Sequence, residues 1–292
     1  MHSLSRGAVR VTIDEVNGGC IRSAFLGKHA LMHVAPDQGT DPLQGGCFAC
    51  TPYFGRVYAP IVRGGIAHPL KPTHQEASPE IALHGEGWVQ GWSVHEQMTR
   101  ALTLETKSAG QKPGHFPFAW SARQSIALLE DGLSISLTVT NDDDTPAPMG
   151  AGLHPYLPYR ADKKIAFRYE RSIMPPGLTL KPLAQDLFSS PMHAPDELLD
   201  HSFACAPSSA ADPTTVILTD TASTLILETT APYLHLYHPP GAPFICVEPI
   251  SHLPGAIDTV TRETLLAPGQ SVSVSFTLRM AQPTTPGVLP SV

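Results

Sequence analysis

The sequence predicts an all-β protein, a sandwich or barrel of many short strands. Three observations carry this. Apolar and polar residues alternate over short windows, the period-two signature of half-buried strands. Thirty prolines and 23 glycines fall mainly between those windows and punctuate them as turns. Helical periodicity is almost absent from the 292 residues.

Val9-Arg10-Val11-Thr12-Ile13 alternates as a strand, as do residues 101–106 and 133–139. Glu130-Asp131-Gly132 is a hairpin-type turn joining 125–129 to 133–139. A second hairpin joins 215–218 to 224–227, and 272–278 makes a last alternating strand. The best helical candidate is a short turn at Pro195-Asp196-Glu197-Leu198-Leu199. Residues 206–213 read as a surface loop, and 282–292 as a frayed, flexible C-terminal tail. No internal repeat or linker-like composition shift divides the chain, so residues 1–281 are expected to form one catalytic β-domain. No glycine-rich phosphate loop follows a strand, which disfavours a nucleotide fold.

Bulk properties narrow the function. The chain is 42% hydrophobic, which argues against disorder. A net charge of -7 argues against nucleic-acid binding. No run of about 18 apolar residues is present to span a membrane. The N-terminus lacks the apolar block of a secretory signal, so a cytoplasmic location is the default expectation. Five cysteines, odd in number and scattered, give no disulfide framework. Cys47-x-x-Cys50 is the one close pair; alone it cannot complete a tetrahedral zinc site, and it lacks βαβ surroundings. Reduced core thiols, with no metal, are the expectation.

Candidate chemistry begins at Phe244-Ile245-Cys246-Val247-Glu248-Pro249-Ile250-Ser251-His252. A carboxylate ends an apolar run, although charges are rarely buried unless something uses or pairs with them. Proline follows at once and supplies no N–H to a sheet ladder. Gly152-Leu153-His154-Pro155-Tyr156 repeats the arrangement with histidine. A possible base and a possible acid, each before proline, suggest paired proton transfer. Residues four apart on an extended chain share a face, so His84, Trp88 and Trp92 either line one surface or are ordinary core tryptophans beside a satisfied histidine. Aromatic faces edged by polar groups suit sugars. Arg56 offers several oriented donors to oxygen atoms, and Asp200 either accepts from hydroxyls or caps a turn.

Together these segments resemble the aldose 1-epimerase (galactose mutarotase) family. The resemblance runs from about Gly46 to Asp258, through Phe54-Gly55-Arg56, Leu83-His84-Gly85 and a following tryptophan. It continues through Asn141, Gly152-Leu153-His154-Pro155-Tyr156 and Leu199-Asp200-His201, and closes with Tyr237, Pro239 and Cys246-Val247-Glu248-Pro249. It implies a large antiparallel β-sandwich, the galactose mutarotase-like supersandwich, with few short helices. It also implies roles: Glu248 as general base, His154 as general acid, His84 orienting the substrate, and Arg56 and Asp200 holding hydroxyls. Trp88 and Tyr156 complete the expected sugar site. Gly55 stands where an asparagine commonly precedes the arginine, and Leu157 where a phenylalanine commonly follows the tyrosine; both departures bear on substrate preference.

The implied reaction interconverts the α and β anomers of a free monosaccharide. Glu248 and His154, on opposite sides of the sugar, would move protons at O1 and the ring oxygen with no cofactor. From ordinary pKa values Glu248 is expected to be ionised near neutrality. Alternatives are a non-catalytic carbohydrate-binding protein and a glycoside hydrolase using Asp200 with Glu248. A histidine metalloenzyme drawing on His84, His154, His235 and His238 lacks a recognised spacing. Basic residues are few and dispersed, with Lys163-Lys164 expected in a loop, which favours a neutral sugar over a sugar phosphate.

Overall fold

Two large antiparallel sheets dominate the computed structural model, which describes residues 1–34, 41–74, 78–110, 112–160, 163–173, 198–205, 209–220, 223–259 and 263–281. The first sheet runs, in spatial order, through His2–Arg6, Val9–Asp14, Cys20–Leu26, Cys47–Cys50, Gly152–Pro158, Phe244–Ile250, Tyr233–His238, Leu199–Ala204 and Arg171–Ile173. His29–Ala30 pairs beside Cys20–Leu26. The second sheet orders Ser93–Met98, Ala101–Ser108, Trp120–Leu128, Gly132–Asn141, Ser271–Met280, Thr224–Thr229, Thr214–Thr219 and Lys164–Ala166.

Both expected hairpins form. Trp120–Leu128 pairs with Gly132–Asn141 through residues 129–131, and Thr214–Thr219 pairs with Thr224–Thr229. The expected helical turn at 195–199 lies mostly outside the described residues, and Leu199 begins a strand. Instead, the one α-helix among the described residues is the single turn Ala256–Thr259. Lys163-Lys164 is not the loop pair expected. Lys163 is buried near Asp220, 3.6 Å away, and Lys164 opens a strand. The tail 282–292 lies outside the described residues. None of the described helices is long and apolar enough to cross a membrane.

Alternation divides each strand of the first sheet between two environments. Leu153 and Leu157, Ile245 and Val247, Leu234 and Leu236, and Leu199 and Phe203 enter the core between the sheets. They meet Leu133, Ile135, Leu137 and Val139, and Val274, Phe276 and Leu278, from the second sheet. The other positions of the same strands face outward, yet Gly152–Pro158, Leu199–Ala204 and Phe244–Ile250 are buried almost throughout. The excursion between Cys50 and Ser93 covers that outer face. Phe54 and Trp88 from the excursion pack with Phe48, Tyr156, Cys246 and Ile250 in a smaller second cluster. The second sheet's outer face instead carries hydroxyl pairs such as Thr103–Ser125, Thr138–Ser273 and Thr140–Ser271. The outward polar residues of the first sheet's central strands are therefore roofed, and those of the second sheet are open to water.

Candidate active site

Four adjacent strands supply the floor of a cavity of about 230 Å³. His154 and Tyr156 come from Gly152–Pro158, Glu248 from Phe244–Ile250, His235 and Tyr237 from Tyr233–His238, and Asp200 from Leu199–Ala204. All occupy outward positions of the alternation. Antiparallel pairing sets Gly152 opposite Ile250 and Tyr156 opposite Cys246. The same register puts His154 opposite Glu248, with Nε2 3.3 Å from Oε2. Both residues are buried. Neither carboxylate oxygen of Glu248 has a hydrogen-bond partner among the described residues, although the side chain is only 1% exposed. A buried carboxylate without partners is costly, so the site is built to receive a hydrogen-bonding ligand.

Burial drives this pair toward neutrality. It raises Glu248 well above the usual carboxylate value; the charge of Asp200 raises it further and Arg56 opposes. Burial also lowers His154, to about 3, helped by the charge of His235. The expectation of an ionised Glu248 therefore fails in the empty site, because it ignored desolvation. Two neutral groups still hold one proton, as would a carboxylate facing an imidazolium. The two forms differ only in which atom carries it.

A second network fixes Asp200. His235 Nε2 lies 3.2 Å from Asp200 Oδ1, and His235 Nδ1 is 2.8 Å from the Ser202 hydroxyl. Arg56 Nη1 approaches Asp200 Oδ2 at 3.6 Å. Burial alone would raise Asp200, but the His235 contact and the Arg56 charge hold it below its ordinary value. The sequence pointed to His235 only among the histidines of the metalloenzyme alternative, and to Ser202 not at all. A usable signal existed: Leu234 and Leu236 flank His235 in alternation, so His235 had to face away from the core.

The roof brings Arg56 and His84 together through the short pair Arg56–Val57 with Ala82–Leu83. His84 has φ 56°, the one positive value among described non-glycine residues. Gly85 follows at φ 70°, and a Cβ there would overlap the Thr51 carbonyl. That carbonyl accepts from Glu86 N–H and Gly87 N–H at 2.8 and 2.9 Å. The tight turn sets His84 over His154, ring centroids 5.1 Å apart. Gly55 N–H donates to His84 Nδ1 at 3.2 Å, so a neutral His84 carries its proton on Nε2. Burial, reinforced by His154 and Arg56, pushes His84 well below its ordinary value. His252 ties the roof to the sheet: its Nε2 accepts from Phe54 N–H at 3.2 Å, and its Nδ1 contacts the Leu253 carbonyl at 2.9 Å.

Arg56, His84, His154, Tyr156, Asp200 and Glu248 all line this one cavity. Trp88 does not. Residues 84–92 are not extended: Gly87–Val89 forms a 3₁₀ turn, and Trp88 lies behind the lining, its indole N–H donating to the Leu83 carbonyl. Trp92 turns into the main core, so of the two readings of residues 84–92 the one with core tryptophans holds, and His84, Trp88 and Trp92 share no surface. Leu157 likewise faces the core and cannot touch a ligand in the cavity, whereas Gly55 lines it. All five cysteines are free and buried.

The family model for aldose 1-epimerase matches residues 40–279. An uncharacterized Escherichia coli K12 protein, YphB, is 26% identical over 96% of this chain and 98% of its own. A solved structure of a galactose mutarotase-like protein from Clostridium acetobutylicum superposes with a TM-score of 0.77 at 13% identity, covering 96% of this chain and 94% of the other. A galactose 1-epimerase from Lactobacillus acidophilus gives 0.69 at 15% identity, covering 96% and 93%. With a match over most of its length and the antiparallel sandwich shared by these structures, the chain belongs to the aldose 1-epimerase family.

Proposed function

We propose that the protein is a cofactor-independent aldose 1-epimerase acting on a free, neutral aldose. The observation that carries this is the His154–Glu248 contact on the floor of a cavity that Arg56, His84 and Asp200 also line. Mutarotation needs a proton removed from the O1 hydroxyl and one delivered to the ring oxygen. Both oxygens are bonded to C1, so neighbouring groups on one wall suffice. This replaces the expected arrangement on opposite sides of the sugar.

With sugar bound, the shared proton sits on His154 Nε2 and Glu248 is the carboxylate. Glu248 takes the O1 proton as C1–O5 breaks, and His154 protonates the ring oxygen. The open aldehyde then faces a neutral acid and a neutral imidazole, the protonation state that burial favours. Rotation about C1–C2 presents the other face, and reclosure returns both protons. His84 Nε2–H, Arg56 and Asp200 hold the remaining hydroxyls, with Tyr156 in the wall.

The cavity also supports a neutral substrate. Among the described residues, Arg56 is the one Lys or Arg side chain in its lining, and Asp200 already faces it. A phosphate would want a cluster of uncommitted cations. At about 230 Å³ the space is below the range of drug-sized pockets and suits a small ligand. A glycoside hydrolase could use Glu248 as acid and Asp200 as carboxylate, but the oxygens of Asp200 face His235 and Arg56, and His154 would have no task.

Polarimetry of freshly dissolved α-anomers tests the reading. Accelerated relaxation of at least one neutral aldose is expected, with no reducing sugar released from aryl glycosides. Glu248→Gln should slow it by about 10²–10⁴-fold while sugar still binds. Near-normal rates in that variant would sink the assignment.

A further inference from the structure

We propose that His154, Cys246 and Glu248 form a binding site for a zinc-class divalent cation, and that the ion blocks the cavity. It would be an inhibitor rather than a cofactor. One ligand atom from each side chain lies within 4.8 Å of the other two, and all three residues are buried. Among the described residues, no other group of His, Cys, Asp and Glu converges in this way.

Backbone geometry explains the convergence. Cys246 and Glu248 are two apart on one strand and share its outward face, while His154 stands opposite Glu248 on the neighbouring strand. Independently, the unpartnered oxygens of Glu248 provide a buried acceptor aimed at the same point. Thiolate, imidazole and carboxylate are the zinc donor set, with bonds of about 2.0–2.3 Å. Such bonds need donors roughly 3.3–3.8 Å apart; the His154–Glu248 contact at 3.3 Å already has that spacing, and the remaining separations, at most 4.8 Å, close by up to about 1 Å. One thiolate and one carboxylate neutralise a divalent ion, and imidazole adds a neutral ligand. Binding expels the thiol proton and the single proton of the Glu248–His154 pair to solvent. Three protein ligands leave a fourth position open toward the cavity, where water can sit.

Inhibition rests on the sugar chemistry proposed above; the metal site does not. The test uses the metal-free protein with Zn²⁺ or Co²⁺ alone. Calorimetry should show one equivalent of Zn²⁺ bound, and the Co²⁺ form should show thiolate-to-cobalt charge-transfer absorption. Cys246→Ser should lose that absorption, weaken zinc binding by at least about 10–100-fold, and retain mutarotation that zinc no longer inhibits. Should that variant fail to fold, Glu248→Gln serves instead, with the same weakening expected. Absence of stoichiometric binding, or binding and absorption unchanged in the substituted protein, overturns the site. Tight zinc binding without any mutarotation in the metal-free protein would overturn the sugar reading and leave the metal site standing.

Discussion

Glu248 Oε2 and His154 Nε2 stand 3.3 Å apart on adjacent antiparallel strands, and both side chains are buried. That relationship sets the pH behaviour of the protein. On the proposed mechanism, the free enzyme works while the pair holds one proton. A second proton, on His154, disables it. Because burial lowers His154 to about 3, the acid limb of kcat/KM should lie well below the ordinary histidine value of 6.5. Initial mutarotation rates across pH, corrected for buffer catalysis, check this; a limb near 6.5 would contradict it.

The same burial costs stability, and the sign can be fixed. Glu248 is raised when folded, so above pH 4.5 the unfolded chain loses a proton that the folded chain keeps. Stability then falls as pH rises toward the folded pKa, by up to about 1.4 kcal/mol per pH unit. Glu248→Gln removes this penalty. The variant should melt above the parent protein at pH 7–8, and the gap should shrink toward pH 4.5. Thermal unfolding at several pH values measures it.

His235 is a positioning residue for Asp200. His235→Ala removes the 3.2 Å partner of Asp200 Oδ1 and leaves the buried carboxylate with Arg56 at 3.6 Å. The expected cost is about 1–3 kcal/mol, read as a rise in KM larger than the fall in kcat. Ser202→Ala should act in the same direction but more weakly, since it removes only the 2.8 Å contact that orients the imidazole.

Trp88→Phe separates packing from recognition. The indole N–H bond to the Leu83 carbonyl, 3.0 Å long, would be lost in a buried setting. Stability should drop by about 1–3 kcal/mol, while sugar affinity at a temperature where the variant is folded stays unchanged. Weakened affinity without destabilisation would show Trp88 acting on the ligand directly.

Gly85→Ala should dislodge the roof. A Cβ would strike the Thr51 carbonyl and force a left-handed residue to carry a side chain. A loss of roughly 1–3 kcal/mol is expected, with activity falling beyond what unfolding explains because His84 moves. Circular dichroism melts alongside rates distinguish the two effects.

The strands were legible because their signal is local. Residues 133–139 alternate strictly and the Asp131-Gly132 turn is self-contained, so both reappear in the structure. Trp88 does not reach the sugar site because the glycines at 85 and 87 permit a tight turn that places the two tryptophans in different buried clusters. Glu248 was found from its position before proline, but its charge state was not, since desolvation depends on a roof contributed by residues far away in sequence. His235 and Ser202 escaped because their importance is a contact between two strands, not a property of either.

Outward and inward positions of the site strands serve separate masters. Substitutions at the outward set can alter what the cavity accepts while the inter-sheet core stays intact. An insertion or deletion of one residue within Gly152–Pro158 or Phe244–Ile250 would exchange the sets, sending His154 or Glu248 toward Leu133 and Phe276. Diversification of this site must therefore proceed by replacement along the strands, with length changes confined to the connecting loops.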